Sequence, residues 1–535
     1  MKNRFLFFGL LFSISIRILA QTEDAWVFFH DKPGYATYLN NPLLMLSQRA
    51  LDRRARYGIG LDISDVPVDE NYVAQIKSVQ GLEILGKSKW LNCLHVRGDS
   101  STVASLLEFS FVDSIRFART DWGSLSRRRF SGADEKMLSQ LSYRTYAYGP
   151  DTVSYAIHRA YDVHRRGYDG HNVLIAVIDA GFQRADTARV FAHIFQRNGV
   201  VDTYNFPDDT TWVYTRHFHG TVVWSRIGGL EDNLLVGTAP QADYCLYVSE
   251  DVYREMPVEE TWWAEAAERA DSVGVDVINT SLGYTVFDRP EYNHTWAQLD
   301  GKTAIVSIAA QKATEKGIHV VVSAGNSGTS NWKKISFPAD AHDVIAVGAA
   351  DENGVRASFS SAGNTADGRI KPDVMSWGVH TRCYYSGNYY QLNGTSLSAP
   401  VITGFVADMV QAYPAIPPQA MKDAFQKASD RYHRPDSLYG YGFPELDRLM
   451  QNLDSVLMNQ LQNVVIYPNP FQNHIFIQGN VSSLSYAVFD MTGKLIREGR
   501  INESIETGYL DKGIYIYILY DGHRKRYFKL IKQDR

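Results

Sequence analysis

Between about residues 150 and 450, wholly apolar runs alternate with segments of helical period. Val173 to Ile178, Tyr244 to Val248, Val275 to Ile278, Ile318 to Val322 and Val344 to Val347 are extended and apolar. Thr261 to Ala270 and Thr303 to Lys316 carry apolar residues at helical spacing. Unbroken apolar strands separated by amphipathic helices predict a parallel sheet covered on both faces. In such sheets the functional residues gather beyond the C-terminal ends of the strands.

The flanking regions follow other patterns. Before residue 120, a strand-like Ala25-Trp26-Val27-Phe28-Phe29 precedes helical patterns at Leu43 to Tyr57 and Asn71 to Val79. Extended runs at Leu82 to Leu85 and Leu91 to Val96, a helical Ser101 to Leu107 and a strand at Phe111 to Phe117 follow, an order that predicts a small α+β domain of split βαβ type. Within it, Gly81-Leu82-Glu83-Ile84-Leu85-Gly86-Lys87-Ser88 has the spacing of a phosphate-binding loop. That loop must open a helix, whereas here strand-like residues fill and follow it, so a β-hairpin turn is the expectation. Residues 121–150 are polar and basic, with Arg127-Arg128-Arg129, and read as a linker or processing region. From 462 to 535 short β-rich runs alternate with the turn signals Pro468-Asn469-Pro470, Thr492-Gly493 and Asp521-Gly522, which predicts a small all-β sandwich. The Asp521-Gly522 pair is expected to close a tight hairpin.

Residues 1–20 have a basic start (Lys2, Arg4), an apolar run from Phe5 to Ile16 and Ala20 at the end. The run is short for a membrane span, which favours a removable export signal over a retained anchor. Composition then narrows the function. Fifty-four basic against 59 acidic residues leave a net charge of −5, with no basic stripe for nucleic acid. Three cysteines (Cys93, Cys245, Cys383) are too few for a disulfide scaffold, and whether Cys245 and Cys383 pair is open at this stage. No His is followed by Glu, which excludes the H-E-x-x-H metalloprotease motif.

Four chemical groups fall at glycine-flanked junctions of the predicted sheet. Val177-Ile178-Asp179-Ala180-Gly181 ends the first strand with a carboxylate; His219-Gly220-Thr221 starts a helix-like run. Ala324-Gly325-Asn326-Ser327-Gly328 ends another strand, and Gly394-Thr395-Ser396-Leu397-Ser398-Ala399-Pro400 opens an apolar helix. Singly, each has a plain structural reading as a cap or turn residue. Together they supply an acid, a base, an amide donor and a hydroxyl nucleophile, which is what acyl transfer needs.

With these motifs in this order, residues 151–455 resemble the subtilisin-like serine proteases. The resemblance implies a subtilisin-like α/β fold and a serine endopeptidase that cleaves protein or peptide substrates through an acyl-enzyme on Ser396. His219 would be the general base, Asp179 its orienting partner and Asn326, with the backbone N–H of Ser396, the oxyanion hole. Ser281-Leu282-Gly283 and Ser323-Ala324-Gly325 would pair with extended substrate and wall the specificity pocket. His217 is a rival base, but only His219 carries the following Gly-Thr. Two positions depart from the family: Val222 stands where a second His is common, and Ser376-Trp377 where Ala-Pro is common. No catalytic cofactor is implied; structural calcium occurs in relatives, but no dense carboxylate loop marks a site here. By the same resemblance, residues 21–120 are an inhibitory propeptide, a partner within the chain. At the other end, Tyr467-Pro468-Asn469-Pro470, Asp490-Met491-Thr492-Gly493-Lys494 and Gly513-Ile514-Tyr515 make 462–535 similar to type IX secretion sorting domains of Bacteroidota. That implies the type IX machinery as a partner and a secreted or surface-attached location at the outer membrane. Two other functions stay open at this stage: an inactive surface binding protein on a protease scaffold, and an esterase using the same triad, though no G-x-S-x-G surrounds any serine.

Overall fold

The computed structural model describes residues 22–120, 146–462, 464–478, 485–501, 504–520 and 525–533. The expected export signal, Arg127-Arg128-Arg129 and the Asp521-Gly522 turn lie outside the described residues. Chain order in the N-terminal unit is β1 (Thr22–Phe29), α1 (Gln48–Arg56), α2 (Glu70–Lys77), β2 (Leu82–Ser88), β3 (Cys93–Asp99), α3 (Ser100–Ser105) and β4 (Val112–Phe117). Its strands form an antiparallel sheet in the order β2-β3-β1-β4, the split arrangement expected from the alternation of elements. Ala25, Val27, Leu94, Val96, Ile76 and Val103 make its core. The Gly81–Ser88 segment is strand paired along β3, with no helix after it, so the phosphate-loop spacing is coincidental.

The central unit holds the predicted parallel sheet. Its elements are β5 (Leu174–Asp179), β6 (Val200–Asn205), α4 (His219–Gly228), β7 (Asp243–Val248), α5 (Val258–Val273), β8 (Val277–Thr280), α6 (Ile305–Glu315), β9 (His319–Ser323), β10 (Ile345–Ala350) and β11 (Val374–Trp377). A hairpin, β12 (Thr381–Tyr385) and β13 (Asn388–Leu392), leads into α7 (Thr395–Ala412); α8 (Pro418–Ala428) and α9 (Leu446–Gln462) complete it. Seven strands run parallel in the order β11-β10-β9-β8-β5-β7-β6. Two separate apolar clusters explain the unbroken hydrophobic strands. Alternate residues of β5 face opposite ways: Ile175 and Val177 join Val223, Ile402 and Phe405 of α4 and α7, while Leu174, Ala176 and Ile178 join Trp263 and Ala267 of α5 and Val306 of α6. Cys93, Cys245 and Cys383 are buried free thiols, which settles the pairing question.

The N-terminal unit sits on α5 and α6. The end of β2 and the turn after it are held by two carboxylates: Glu265 accepts from the Lys87 N–H, and Glu268 from the Lys89 and Trp90 N–H groups and the Ser88 hydroxyl. Trp26 Nε1 donates to Thr261 Oγ1 at 2.9 Å. A second set of contacts comes from α1, where Arg53 and Arg54 both pair with the fully buried Asp271, and Arg54 also reaches Asp65 at 2.8 Å. After α9 come β14 (Val465–Tyr467), β15 (His474–Gln478), β16 (Ser485–Asp490), β17 (Leu495–Arg500), β18 (Ser504–Glu506), β19 (Gly513–Tyr520) and β20 (Lys525–Lys532). They form a three-stranded and a four-stranded sheet around a core that includes Phe471, Val488, Tyr517 and Leu530. β19 and β20 pair antiparallel, from Gly513 with Lys532 to Tyr520 with Lys525.

Candidate active site

β5 ends on Asp179, a fully buried carboxylate. Its Oδ1 accepts from the Ala180 N–H at 2.8 Å and stands 2.7 Å from Nδ1 of His219, the first residue of α4. The two loops can approach because Gly181 (φ 140°) and Gly220 lack side chains. A Cβ on Gly181 would lie 2.6 Å from the His217 nitrogen, and one on Gly220 2.5 Å from the Gly181 oxygen. Backbone bonds close the junction, from Gly220 N–H to Gly181 O at 3.0 Å and from Gln183 N–H to His217 O at 3.2 Å. Burial alone would lower the His219 pKa, but the Asp179 charge and hydrogen bond outweigh it and hold the imidazole above its ordinary value. His217 behaves oppositely: partial burial, with the neighbouring His219, pushes it below the ordinary range. Its Nδ1 accepts the His219 backbone N–H at 3.3 Å.

Ser396 lies in the first turn of α7 and is 9% exposed. Asn326 comes three residues beyond β9, after Gly325 at φ 101°. Its Oδ1 accepts from both the backbone N–H and the hydroxyl of Thr395, each at 2.9 Å, which fixes the amide orientation and leaves Nδ2 turned toward the serine. A Cβ on Gly394 would lie 2.9 Å from Ser396 Oγ and 3.7 Å from Asn326 Nδ2, so both groups border the same point and glycine there keeps it clear. Thr395 is a site residue that the sequence reading missed, although its place between Gly394 and Ser396 was the available signal. Also missed was a buried polar chain behind the serine. The Thr403 hydroxyl donates to Asn279 Oδ1 at 2.7 Å, Asn279 Nδ2 to Ser281 Oγ at 3.2 Å, and Ser281 Oγ to the Ser396 carbonyl at 3.1 Å.

Ser281-Leu282-Gly283 continues β8, and Ser323-Ala324-Gly325 spans the end of β9 and the residues after it. The two strands pair in register through Thr280 and Val322, which keeps the segments side by side. The Tyr284 N–H donates to Phe337 O at 3.0 Å and the Ser336 N–H to Ala324 O at 3.1 Å, so both segments are anchored from the same neighbouring loop. Leu282 and Gly283 retain exposure, as a surface offered to an extended chain must. The structure therefore gathers all the sequence-derived site positions at one end of one sheet.

Comparison with known proteins identifies the family of the central unit. The subtilase family, peptidase family S8, matches residues 170–442. The chain belongs to the subtilase family. It is a serine-type peptidase by that membership. Subtilisin DY of Bacillus licheniformis is 32% identical to this subtilase over 296 residues, covering 54% of this chain and 95% of the relative. The subtilisin of Bacillus pumilus is 30% identical over 283 residues, covering 52% and 91%. Among solved structures, fervidolysin from Fervidobacterium pennivorans shares the fold, with a TM-score of 0.54 at 18% identity over 94% of this subtilase and 71% of that chain. The peptidase S8 propeptide domain of Bacteroidota matches residues 24–134, and the secretion system C-terminal sorting domain matches 465–533. No helix among the described residues is long and apolar enough to cross a membrane, and no group of three or more His, Cys, Asp or Glu among them is placed to hold a metal ion.

Proposed function

We propose that this subtilase is an exported endopeptidase in which Ser396 attacks the scissile carbonyl and forms an acyl-enzyme. His219 takes the serine proton through its second ring nitrogen and later delivers it to the leaving amine. Asp179 fixes the tautomer of His219 and stabilises the imidazolium. Asn326 Nδ2 and the Ser396 N–H, one of the unpaired donors of the first turn of α7, receive the oxyanion. Ser281–Gly283 and Ser323–Gly325 pair with the acyl half of an extended substrate. The observation that carries this reading is the 2.7 Å contact between Asp179 Oδ1 and His219 Nδ1, at the same sheet end where Asn326 and Ser396 border one point.

The N-terminal domain acts in this reading as an inhibitor within the chain, docked on α5 and α6 until the segment 121–150 is cut. The C-terminal domain addresses the protein to the type IX machinery and so to the cell exterior. The test is intact mass after incubation, comparing the precursor from residue 21 with its Ser396→Ala variant. Loss of an N-terminal fragment ending between about 120 and 150 in the active form alone is the expected result. Trimming of both forms would remove Ser396 as the nucleophile. If both remain whole and neither hydrolyses peptide or ester substrates after the segment is cut by an added protease, the domain is an inactive scaffold.

A further inference from the structure

Residues 146–158, which open the central unit, form a strap across the protease. They include a single turn at Gly149–Asp151 and a short helix at Thr152–Ile157. Asp151 is fully buried and pairs with Arg226 of α4, which is buried as well. The second oxygen of Asp151 accepts the Val236 N–H at 3.0 Å. Gly149 (φ 54°) lets the strap approach, since a Cβ there would lie 2.2 Å from the Asn233 oxygen.

Arg226 uses both ends and one face of its guanidinium. Nη1 also donates to the Arg382 carbonyl of β12 at 2.9 Å, Nη2 donates to Ser154 Oγ at 2.7 Å, and the group lies 5.5 Å from the centre of the Trp377 ring. Beside it, Ser225 Oγ accepts the Tyr384 N–H at 3.1 Å, a second tie between α4 and the hairpin. Trp377 ends β11, and the carbonyl of the next residue, Gly378, accepts the Gly394 N–H at 2.9 Å. Gly394 is the glycine that borders Ser396 Oγ. Ser376 meets the strap through His158. Burial pushes His158 down to about 4, so the ring is neutral; Nδ1 donates to the Pro444 carbonyl and Nε2 accepts from the Ser376 hydroxyl at 2.9 Å. Ser376 and Trp377, the pair that departs from the family pattern, thus face the strap and its arginine partner.

Resting on the function proposed above, we infer that Arg226, fixed by Asp151, is a positioning residue that sets the helix carrying His219 against the strand end and hairpin leading to Ser396. Arg226 follows His219 by two helical turns and lies on nearly the same face of α4. The helix is pinned at its start by Asp179 and two turns later by Asp151, so a shift at Arg226 moves His219 relative to Ser396. A planar fork holds a carboxylate, a carbonyl, a hydroxyl and an indole face at once, which an ammonium cannot do. The charge in turn needs its acid, because an unpaired buried guanidinium is strongly unfavourable. The cut that frees the N-terminal domain must therefore leave Asp151 on the protease side.

The experiment compares the subtilase with Arg226→Lys and with Asp151→Asn/Arg226→Met, each made as the precursor from residue 21 and cut by added trypsin where self-processing fails. The lysine variant keeps the buried charge and the double variant removes both charges, so neither leaves a carboxylate uncompensated. Active sites are counted by burst titration with an ester, so that rates refer to folded, reactive enzyme. Both variants are expected to lose about 10–10²-fold in kcat on a peptide with KM within about twofold, as a small misplacement of reacting groups does. The Asp179 contact raises the His219 pKa, so its loosening should also move the acid limb of kcat/KM to lower pH. A brace that only stabilises the fold would move neither quantity. Wild-type kcat per active site with an unmoved acid limb in either variant overturns the inference, however few molecules fold. So does a mature, active chain whose intact mass places its first residue after Asp151. Absence of any Ser396-dependent hydrolysis in the parent counts against the proposed function, whereas an active parent with unaffected variants counts against this role alone.

Discussion

At the scale of single residues, the decisive balance is between burial and the Asp179 charge at His219. Burial disfavours the imidazolium, and a carboxylate 2.7 Å away more than restores it, so His219 titrates above its ordinary value. In the proposed mechanism only the neutral ring accepts the serine proton, so activity is expected to fall as pH drops through that pKa. In Asp179→Asn the desolvation remains and the attraction is lost, so the acid limb of log(kcat/KM) against pH is expected to move below the ordinary histidine range. The plateau should fall by about 10⁴, because the amide favours the wrong tautomer. An acid limb that stays in place in the variant would assign the titration to another group, with His217 the first to examine. The candidate positions were legible in the sequence because each lies within two residues of a glycine at a strand or helix end. Asn279 and Thr403 were not, because the hydrogen bond between them spans 124 residues of chain and depends on packing rather than on spacing.

At the scale of elements, wholly apolar strands revealed the centre of the parallel sheet, because β5, β8 and β9 are buried on both faces. The edge strand β6 escaped notice because it is mostly half-exposed and mixed in polarity, so it lacks that signature. The hairpin β12–β13 escaped as well: its tyrosines and polar residues have no clean alternation, and it is held by neighbouring helices and loops rather than by the main sheet. Helix α1 has the clearest energetic consequence. Arg54 is almost fully buried and pairs with both Asp65 and Asp271, which are buried too. Removing one partner of a buried ion pair costs about 3–5 kcal/mol when the other charge is left uncompensated, but without Arg54 the Asp271 carboxylate keeps Arg53 and Asp65 keeps Lys316, so the loss falls at or below the low end of that range. Arg54→Ala in the Ser396→Ala precursor, nicked in the connecting segment by added trypsin, should therefore weaken retention of the N-terminal fragment by up to about 10²-fold. Gel filtration reads this directly: the fragment co-elutes with the body when Arg54 is present and separates when it is not. Co-elution of both would show that the Glu265 and Glu268 contacts suffice.

At the scale of the whole molecule, the described residues form three units in series, and where one ends decides what each part does alone. The C-terminal sheets have an apolar cluster of their own, including Val464, Phe471, Tyr517 and Leu530, drawn only from residues 464 onward. Helix α9, immediately before them, belongs to the protease instead: Leu446, Leu449, Met450 and Leu453 lie in the same cluster as Phe405 and Met409 of α7. The Tyr413 hydroxyl reaches the Met450 carbonyl at 3.3 Å, tying α9 to the end of α7, whose first turn holds Ser396. Chains ending at 462 and at 445 should therefore behave differently, although both lack the sorting domain. The longer chain should keep the peptidase activity of the full-length subtilase and unfold at a similar temperature, and it should fail only in passage to the cell exterior. The shorter chain loses four buried apolar side chains, each worth about 2–5 kcal/mol when cut back to alanine. That sum matches or exceeds the roughly 5–15 kcal/mol that holds a typical domain folded, so the shorter chain should be insoluble or lack a cooperative thermal transition. Thermal unfolding and peptide hydrolysis on the two truncations decide it. Loss of activity in the chain ending at 462 would mean that the sorting domain also braces α9, and with it the helix that carries Ser396.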